Sequence, residues 1–233
     1  MIAPPAGLLP TALLGAILGL DVVSFPQAML SRPLVAATLA GALNGHVETG
    51  LVIGATLELF ALETLPFGAS RYPEWGSAAV VAGTLFSMTE GLETAMLPGT
   101  MCIAVLFGIA TSWVGGRSMV LLRQVNGRLA RRHIEDLAAG SSRTVIGLQL
   151  TGLAADFTRG FVLTLAALLV TIPAQMAALS HWHTAPRESR AVVVALAATV
   201  AGGAVWRLVH GVPRAQWLFL AGLLVGLAAL GVA

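Results

Sequence analysis

The chain has 233 residues, of which 57% are hydrophobic and 10% are charged, and its mean hydropathy is +0.85. This composition excludes an ordinary soluble domain and predicts an integral protein of the lipid bilayer. The 13 basic residues, all arginine, and 11 acidic residues leave a net charge of only +2, which gives no indication of a nucleic-acid partner. The single cysteine, Cys102, excludes an intramolecular disulfide and a thiolate metal cluster.

The apolar runs of the first half are shorter than a membrane span. The first, at 7–20, lacks the charged start of a signal peptide and is expected to be retained. The runs at 33–43, 51–62 and 77–88 are each about half of the 20 or so residues that a span needs. Gly and Pro residues between them predict broken or re-entrant helices, whose backbone must be buried in protein or line a cavity. Fusion of neighbouring runs into long kinked helices is the alternative.

Longer apolar segments lie on both sides of a polar connection. Four segments approach the length of a span: 96–113 before the connection, and 160–179, 191–206 and 216–233 after it. We therefore predict an all-α, polytopic integral membrane protein with broken or re-entrant helices in its N-terminal half.

The polar connection at 123–143 contains five arginines, and the positive-inside rule places it in the cytoplasm. Leu122, Val125 and Leu129 share a helical face, which is typical of a short interfacial helix. The predicted organisation is a single membrane domain over 1–233. Its parts are the N-terminal half at 1–122, the cytoplasmic arginine-rich loop at 123–143 and the C-terminal helices at 144–233.

The candidate binding region is the stretch 44–77, where acidic residues are concentrated in apolar sequence. Carboxylates at membrane depth are costly and usually face a protein interior or a watery cavity. On a helix, Glu58 shares one face with small residues, including Gly54, which leaves space for a ligand. Because carboxylates accept hydrogen bonds from sugar hydroxyls and aromatic rings cover pyranose faces, Glu58, Glu74, Tyr72 and Trp75 predict a sugar site.

Structural alternatives stay open for several of these residues. Glu74 and Arg71 can form an ion pair that closes a loop, and Tyr72 and Trp75 can anchor the chain at the membrane interface. Glu63 lies about 140° around the helix from Glu58, which argues against a catalytic pair.

Other polar residues give weaker signals. His181 and His183 are too few to predict a metal site, so no metal and no cofactor are expected. Asp156 and Arg159 are one helical turn apart and are predicted to neutralise each other within the helical bundle. No catalytic motif is present, and no catalytic residues are expected in this chain.

Three segments resemble the IIC component of the mannose/fructose/sorbose phosphotransferase family. They are QAMLSRPLV at 27–35, TGLVIGATLEL at 49–59 and LPFGA at 65–69 followed by Pro73-Glu74. The resemblance implies a polytopic sugar permease of the bacterial inner membrane, in which the phosphoryl chemistry belongs to partner proteins. Carried over by position, it implies substrate-binding roles for Gln27, Glu58, Gly68, Ala69 and Glu74. Glu48, Tyr72 and Trp75 are secondary candidates.

The same resemblance implies a set of partners. These are a IID membrane subunit, cytoplasmic IIA and IIB phosphocarrier proteins, and a hexose-type sugar; assembly into a homo-oligomer is left open. Two other functions compete with a permease: a non-transporting scaffold or regulatory protein for phosphocarriers, and an intramembrane enzyme. The family's Pro-Asp pair reads Pro73-Glu74 here, which moves a carboxylate by about 1.5 Å and predicts a changed sugar preference.

Overall fold

The computed structural model describes residues 7–62, 72–88, 97–182, 186–209 and 211–232. The regular elements of these residues are all helices: α1 Leu8–Asp21, α2 Pro33–Leu43, α3 Val47–Ala61, α4 Trp75–Ser87, α5 Leu97–Arg132, α6 Ile134–Ala138, α7 Ser142–Ser180, α8 Pro186–Val209 and α9 Ala215–Val232.

Helix α4 is the centre of the molecule. Every one of its 13 residues is buried, and it packs against α1, α2, α3, α5 and α7. At 1.5 Å per residue it is about 20 Å long, shorter than the ~30 Å hydrocarbon layer. Its small residues, including Gly76, Ser77 and Gly83, allow neighbouring backbones to come close. A short helix in the interior of the protein is the broken-helix architecture that the sequence predicts.

Helices α2 and α3 form a tight hairpin rather than one long kinked helix. The turn between them uses Gly45, whose φ of 85° lies in the left-handed region that suits glycine. A Cβ added to Gly41 would lie 2.8 Å from the Cα of Gly50, so only glycines fit where the two helices meet. Fusion of these two runs is therefore excluded by the structure.

Helices α5 and α7 are the two described helices that are long and apolar enough to cross a membrane. Helix α5 has 36 residues and α7 has 39, so both are longer than a span. The predicted loop at 123–143 is mostly helical, because α5 continues to Arg132 and α6 follows at once. Arginine is a good helix former, and the side chains at 123–132 can reach water without ending the helix.

Candidate functional site

Glu74 stands at the N-terminus of α4 in the interior of the protein. Its side chain is fully buried, and its Oε1 accepts a hydrogen bond of 2.9 Å from the backbone N–H of Ser77. Helix α5 passes close by, because a Cβ added to Gly115 would lie only 2.9 Å from Glu74 Oε2. A Cβ on Gly116 would lie 2.2 Å from the carbonyl oxygen of Tyr72. The carboxylate that caps α4 is therefore enclosed by protein.

A chain of charged groups leads from Glu74 to α7. Arg159 Nη1 lies 4.0 Å from Glu74 Oε2, and Arg159 Nε donates to Asp156 Oδ1 at 2.8 Å. Nη1 also donates to the hydroxyl of Ser118 at 3.2 Å. Asp156 accepts a further hydrogen bond from the hydroxyl of Ser24. The predicted Asp156–Arg159 ion pair is confirmed, and the structure shows that the same guanidinium also faces Glu74.

Two atoms of this cluster are buried without a hydrogen-bond partner among the described residues: Glu74 Oε2 and Arg159 Nη2. An unsatisfied buried polar group costs about 1–3 kcal/mol, so such groups call for an explanation. A hydroxyl group can donate to a carboxylate oxygen and can accept from a guanidinium N–H, so it matches the chemistry of both atoms.

Tyr72 and Trp75 are part of the interior and are not membrane-interface anchors. Each is 8% exposed. The Tyr72 hydroxyl accepts a hydrogen bond from Arg123, whose guanidinium carbon lies 5.0 Å from the centre of the tyrosine ring. Trp75 belongs to the main apolar core. The interface alternative is therefore wrong for both residues, and Tyr72 connects the Glu74 end of α4 to α5.

A cavity of about 540 Å³ lies between α5 and α7, next to this cluster. Asp156 and Ser24 belong to its lining, as do Arg123 and Asn126 of α5 and Gln149 of α7. Its other lining residues are mostly apolar: Val23, Met119, Leu122, Leu129, Ala130, Leu148, Gly152 and Leu153. Leu122 and Leu129 of the predicted interfacial face thus border the cavity, whereas Val125 is 54% exposed.

Glu58 has a structural role that the sequence did not predict. Arg32 forms an ion pair with Glu58 Oε1, with Nε at 2.6 Å, and the backbone N–H of Leu34 donates to Oε2 at 3.1 Å. The expected space beside Gly54 is filled, since a Cβ there would lie 2.8 Å from the carbonyl oxygen of Pro33. Both carboxylate oxygens are therefore bonded to α2 and its N-terminal flank.

The remaining candidates lie apart from the charged cluster or outside the described residues. Glu48 is exposed in the first turn of α3, where a carboxylate favours the helix N-terminus. Gln27 is exposed in the loop between α1 and α2, and its amide N–H donates to the carbonyl of Val23 at 2.7 Å. Gly68 and Ala69, like Glu63 and Arg71, are not among the residues that the structure describes.

Asp21 organises the loop between α1 and α2 and was missed by the sequence analysis. It is 2% exposed, and its two oxygens accept hydrogen bonds from the backbone N–H groups of Ala28 at 2.6 Å and Ser31 at 2.8 Å. Gln27 and Met29 both have positive φ in this loop. In the sequence, Asp21 is a single carboxylate directly after the apolar run at 7–20, and this position could have indicated its structural role. That carboxylate holds the loop that places Ser24 against Asp156.

Comparison with known proteins agrees with this architecture. A family profile described as the sorbose-specific IIC component of the phosphotransferase system matches residues 8–185. The fructose permease IIC component of Bacillus subtilis is 26% identical over 170 residues, which are 72% of this chain and 60% of that protein. The mannose-specific EIIC component of Escherichia coli is 28% identical over 151 residues, or 64% of this chain and 49% of that protein. The chain thus spans about half to three fifths of the length of these relatives.

Two solved structures share the fold. One, titled "Structure of membrane protein", has a TM-score of 0.65 and 19% identity, with 97% of this chain and 90% of that chain covered. The mannose transporter ManYZ, solved in complex with microcin E492, contains a chain with a TM-score of 0.60 and 19% identity, at 100% and 92% coverage. Fold and comparisons together define an all-helical membrane protein, as predicted. The structure adds that it is built around a short, buried helix with charged residues at its N-terminal end. The chain belongs to the family of sorbose-specific IIC components of the phosphotransferase system.

Proposed function

We propose that this chain binds a hexose-type sugar and conducts it across the bacterial inner membrane as the IIC subunit of a phosphotransferase system. The observation that supports this best is the Glu74–Arg159 pair, with one buried polar atom on each side chain that lacks a hydrogen-bond partner among the described residues. A sugar hydroxyl placed there would bond to both side chains. The pair lies at the end of a short internal helix, where transporters commonly place their substrate sites.

Phosphorylation of the sugar is assigned to partner proteins, since the sequence carries no catalytic motif. We propose a IID membrane subunit and cytoplasmic IIA and IIB phosphocarriers as these partners. Exposed apolar residues on α9, such as Trp217, Leu218 and Leu224, would contact lipid, the IID subunit or further copies of the chain. Gln27, Gly68 and Ala69 remain proposed sugar-binding residues from the family pattern.

Glu74→Gln tests the sugar site. Uptake and phosphorylation of labelled fructose, mannose and sorbose are measured in vesicles that contain the chain and its partner subunits. A hydrogen bond to a charged group contributes about 1.5–3 kcal/mol, so the variant should raise KM roughly tenfold to a hundredfold. Glu48→Gln, an identical change at an exposed position, should leave KM unchanged.

Glu58→Gln separates the two roles of Glu58 in the same vesicles. If Glu58 holds α2 against α3, the variant should have a lower unfolding temperature with little change in KM. If Glu58 binds the sugar, KM should rise with little change in the unfolding temperature.

Transport that is equal in the wild type and in Glu74→Gln would contradict the proposed site. Absence of transport for every sugar in the wild type, with partner subunits present, would favour the non-transporting scaffold.

The double change Arg131→Ala and Arg132→Ala tests docking of the phosphorylated IIB protein. Both arginines are exposed at the end of α5, and the positive-inside rule places them in the cytoplasm. Exposed charges act mainly on association and its salt dependence, so the variant should bind IIB more slowly and respond less to added salt. Surface plasmon resonance at two salt concentrations measures both effects, and unchanged association would rule out this docking surface.

A further inference from the structure

The lining of the cavity between α5 and α7 includes both buried and exposed polar residues. Asp156 is 2% exposed and Ser24 is partly buried, whereas Gln149 is exposed. Arg123 and Asn126 of α5 also belong to the lining. Side chains that can donate or accept hydrogen bonds are therefore present among mostly apolar lining residues. Pockets of this size and composition are typical of small-molecule sites.

The charges of the lining define the class of ligand. Only Arg123 and Asp156 are charged among the lining residues, and their formal charges cancel. Arg159 bonds to Asp156 from outside the cavity and also faces Glu74, so the formal charges of these two outer side chains cancel as well. A phosphate group usually requires a surplus of cationic or N–H donors, which this lining does not supply. Amide, hydroxyl, carboxylate and guanidinium groups with no net charge suit a neutral, polyhydroxylated molecule.

The cavity is connected to the proposed sugar site by direct contacts. Arg159 lies between Glu74 and Asp156, so one guanidinium joins the two places. Arg123 likewise borders the cavity and donates a hydrogen bond to Tyr72, two residues before Glu74. Gln149 lies near the start of α7, next to the arginine-rich segment, which the positive-inside rule assigns to the cytoplasm.

We propose that this cavity is a second sugar site, on the cytoplasmic side of Glu74, that holds the unphosphorylated sugar and rejects its phosphate ester. The inference rests on the proposed function and adds to it a place where the sugar waits for phosphoryl transfer. Glu74 would bind the sugar within the membrane domain, and the cavity would bind it at the inner end.

A cysteine-protection experiment on the purified 233-residue chain in detergent tests this site without any partner protein. Cys102 is replaced by serine, and Gly152→Cys places a thiol in the cavity, where a Cβ would lie 3.5 Å from Asn126 Nδ2. The control is Ser142→Cys, at an exposed position at the start of the same helix. Mass spectrometry follows modification by a charged methanethiosulfonate reagent, with fructose, mannose, sorbose, N-acetylgalactosamine or their phosphate esters present.

At least one of the free sugars should slow modification at Gly152→Cys about fivefold when four fifths of the sites are occupied, and leave Ser142→Cys unchanged. The same protection should persist when Glu74→Gln is added, and the phosphate esters should not protect. Loss of protection in the Glu74→Gln background would overturn the second site, because the effect would then come from Glu74. Equal protection by esters, or none by any sugar, would also overturn it. Vesicle uptake is a separate measurement, so the proposed function can stand when this site fails.

Discussion

Arg159→Met is expected to destabilise the protein more than any other single change in the charged cluster. The guanidinium is 8% exposed and is the cation between the carboxylates of Glu74 and Asp156. Its removal leaves two carboxylates close together in the interior, and breaking a buried ion pair in this way costs about 3–5 kcal/mol. The midpoint of thermal unfolding of the detergent-solubilised protein measures the effect.

Arg143→Met is the matched control, since it makes the same substitution at an exposed position in the first turn of the same helix. It should shift the midpoint little. Adding Glu74→Gln to Arg159→Met removes one of the two uncompensated charges and should restore part of the lost stability. An Arg159→Met protein that unfolds at the temperature of Arg143→Met would show that Arg159 does not compensate these carboxylates.

The position of a helix could be predicted where an apolar run is bounded on each side by proline or by turn residues. The run at 33–43 has the bounds of α2, because proline starts the helix and the Asn44-Gly45 turn ends it. The end of α5 could not be predicted in the same way. Composition shows where a helix leaves the apolar layer, and α5 continues past that point to Arg132.

The candidate site could be predicted only in part, because local patterns do not show which distant residues meet. Glu74 was identified from its position beside apolar sequence. Among the described residues it forms an ion pair with Arg159, on a helix far along the chain, and that contact depends on how α4, α5 and α7 pack. Glu58 carried a similar signal, yet Arg32 and the N-terminus of α2 occupy its carboxylate. A carboxylate beside apolar sequence can serve a ligand or hold a helix, and the sequence pattern is the same for both.

Gly50→Ala is expected to disrupt the packing of α2 against α3. The added Cβ would lie 2.4 Å from the carbonyl oxygen of Ala37 and 2.9 Å from the Cα of Gly41. Both are backbone atoms, so no side-chain rotation can relieve the overlap and the two helices must separate. Overpacking of this kind typically lowers the free energy of unfolding by about 1–3 kcal/mol. Because the neighbouring backbone atoms are rigid, we expect a loss near the upper end of this range.

The effect should extend to α4, because the same Ala37 carbonyl oxygen lies 2.7 Å from the position of a Cβ added to Gly83. Three backbones therefore meet at Ala37, and a shift of α2 changes the support of the helix that Glu74 caps. Gly147→Ala is the control: a Cβ there has no atom within 4 Å, and alanine should stabilise α7 by up to about 1 kcal/mol. Thermal unfolding of the three proteins should rank Gly147→Ala at or above the wild type and Gly50→Ala well below it. Unfolding temperatures that agree between the two variants would mean that the close approach of α2, α3 and α4 contributes little to stability.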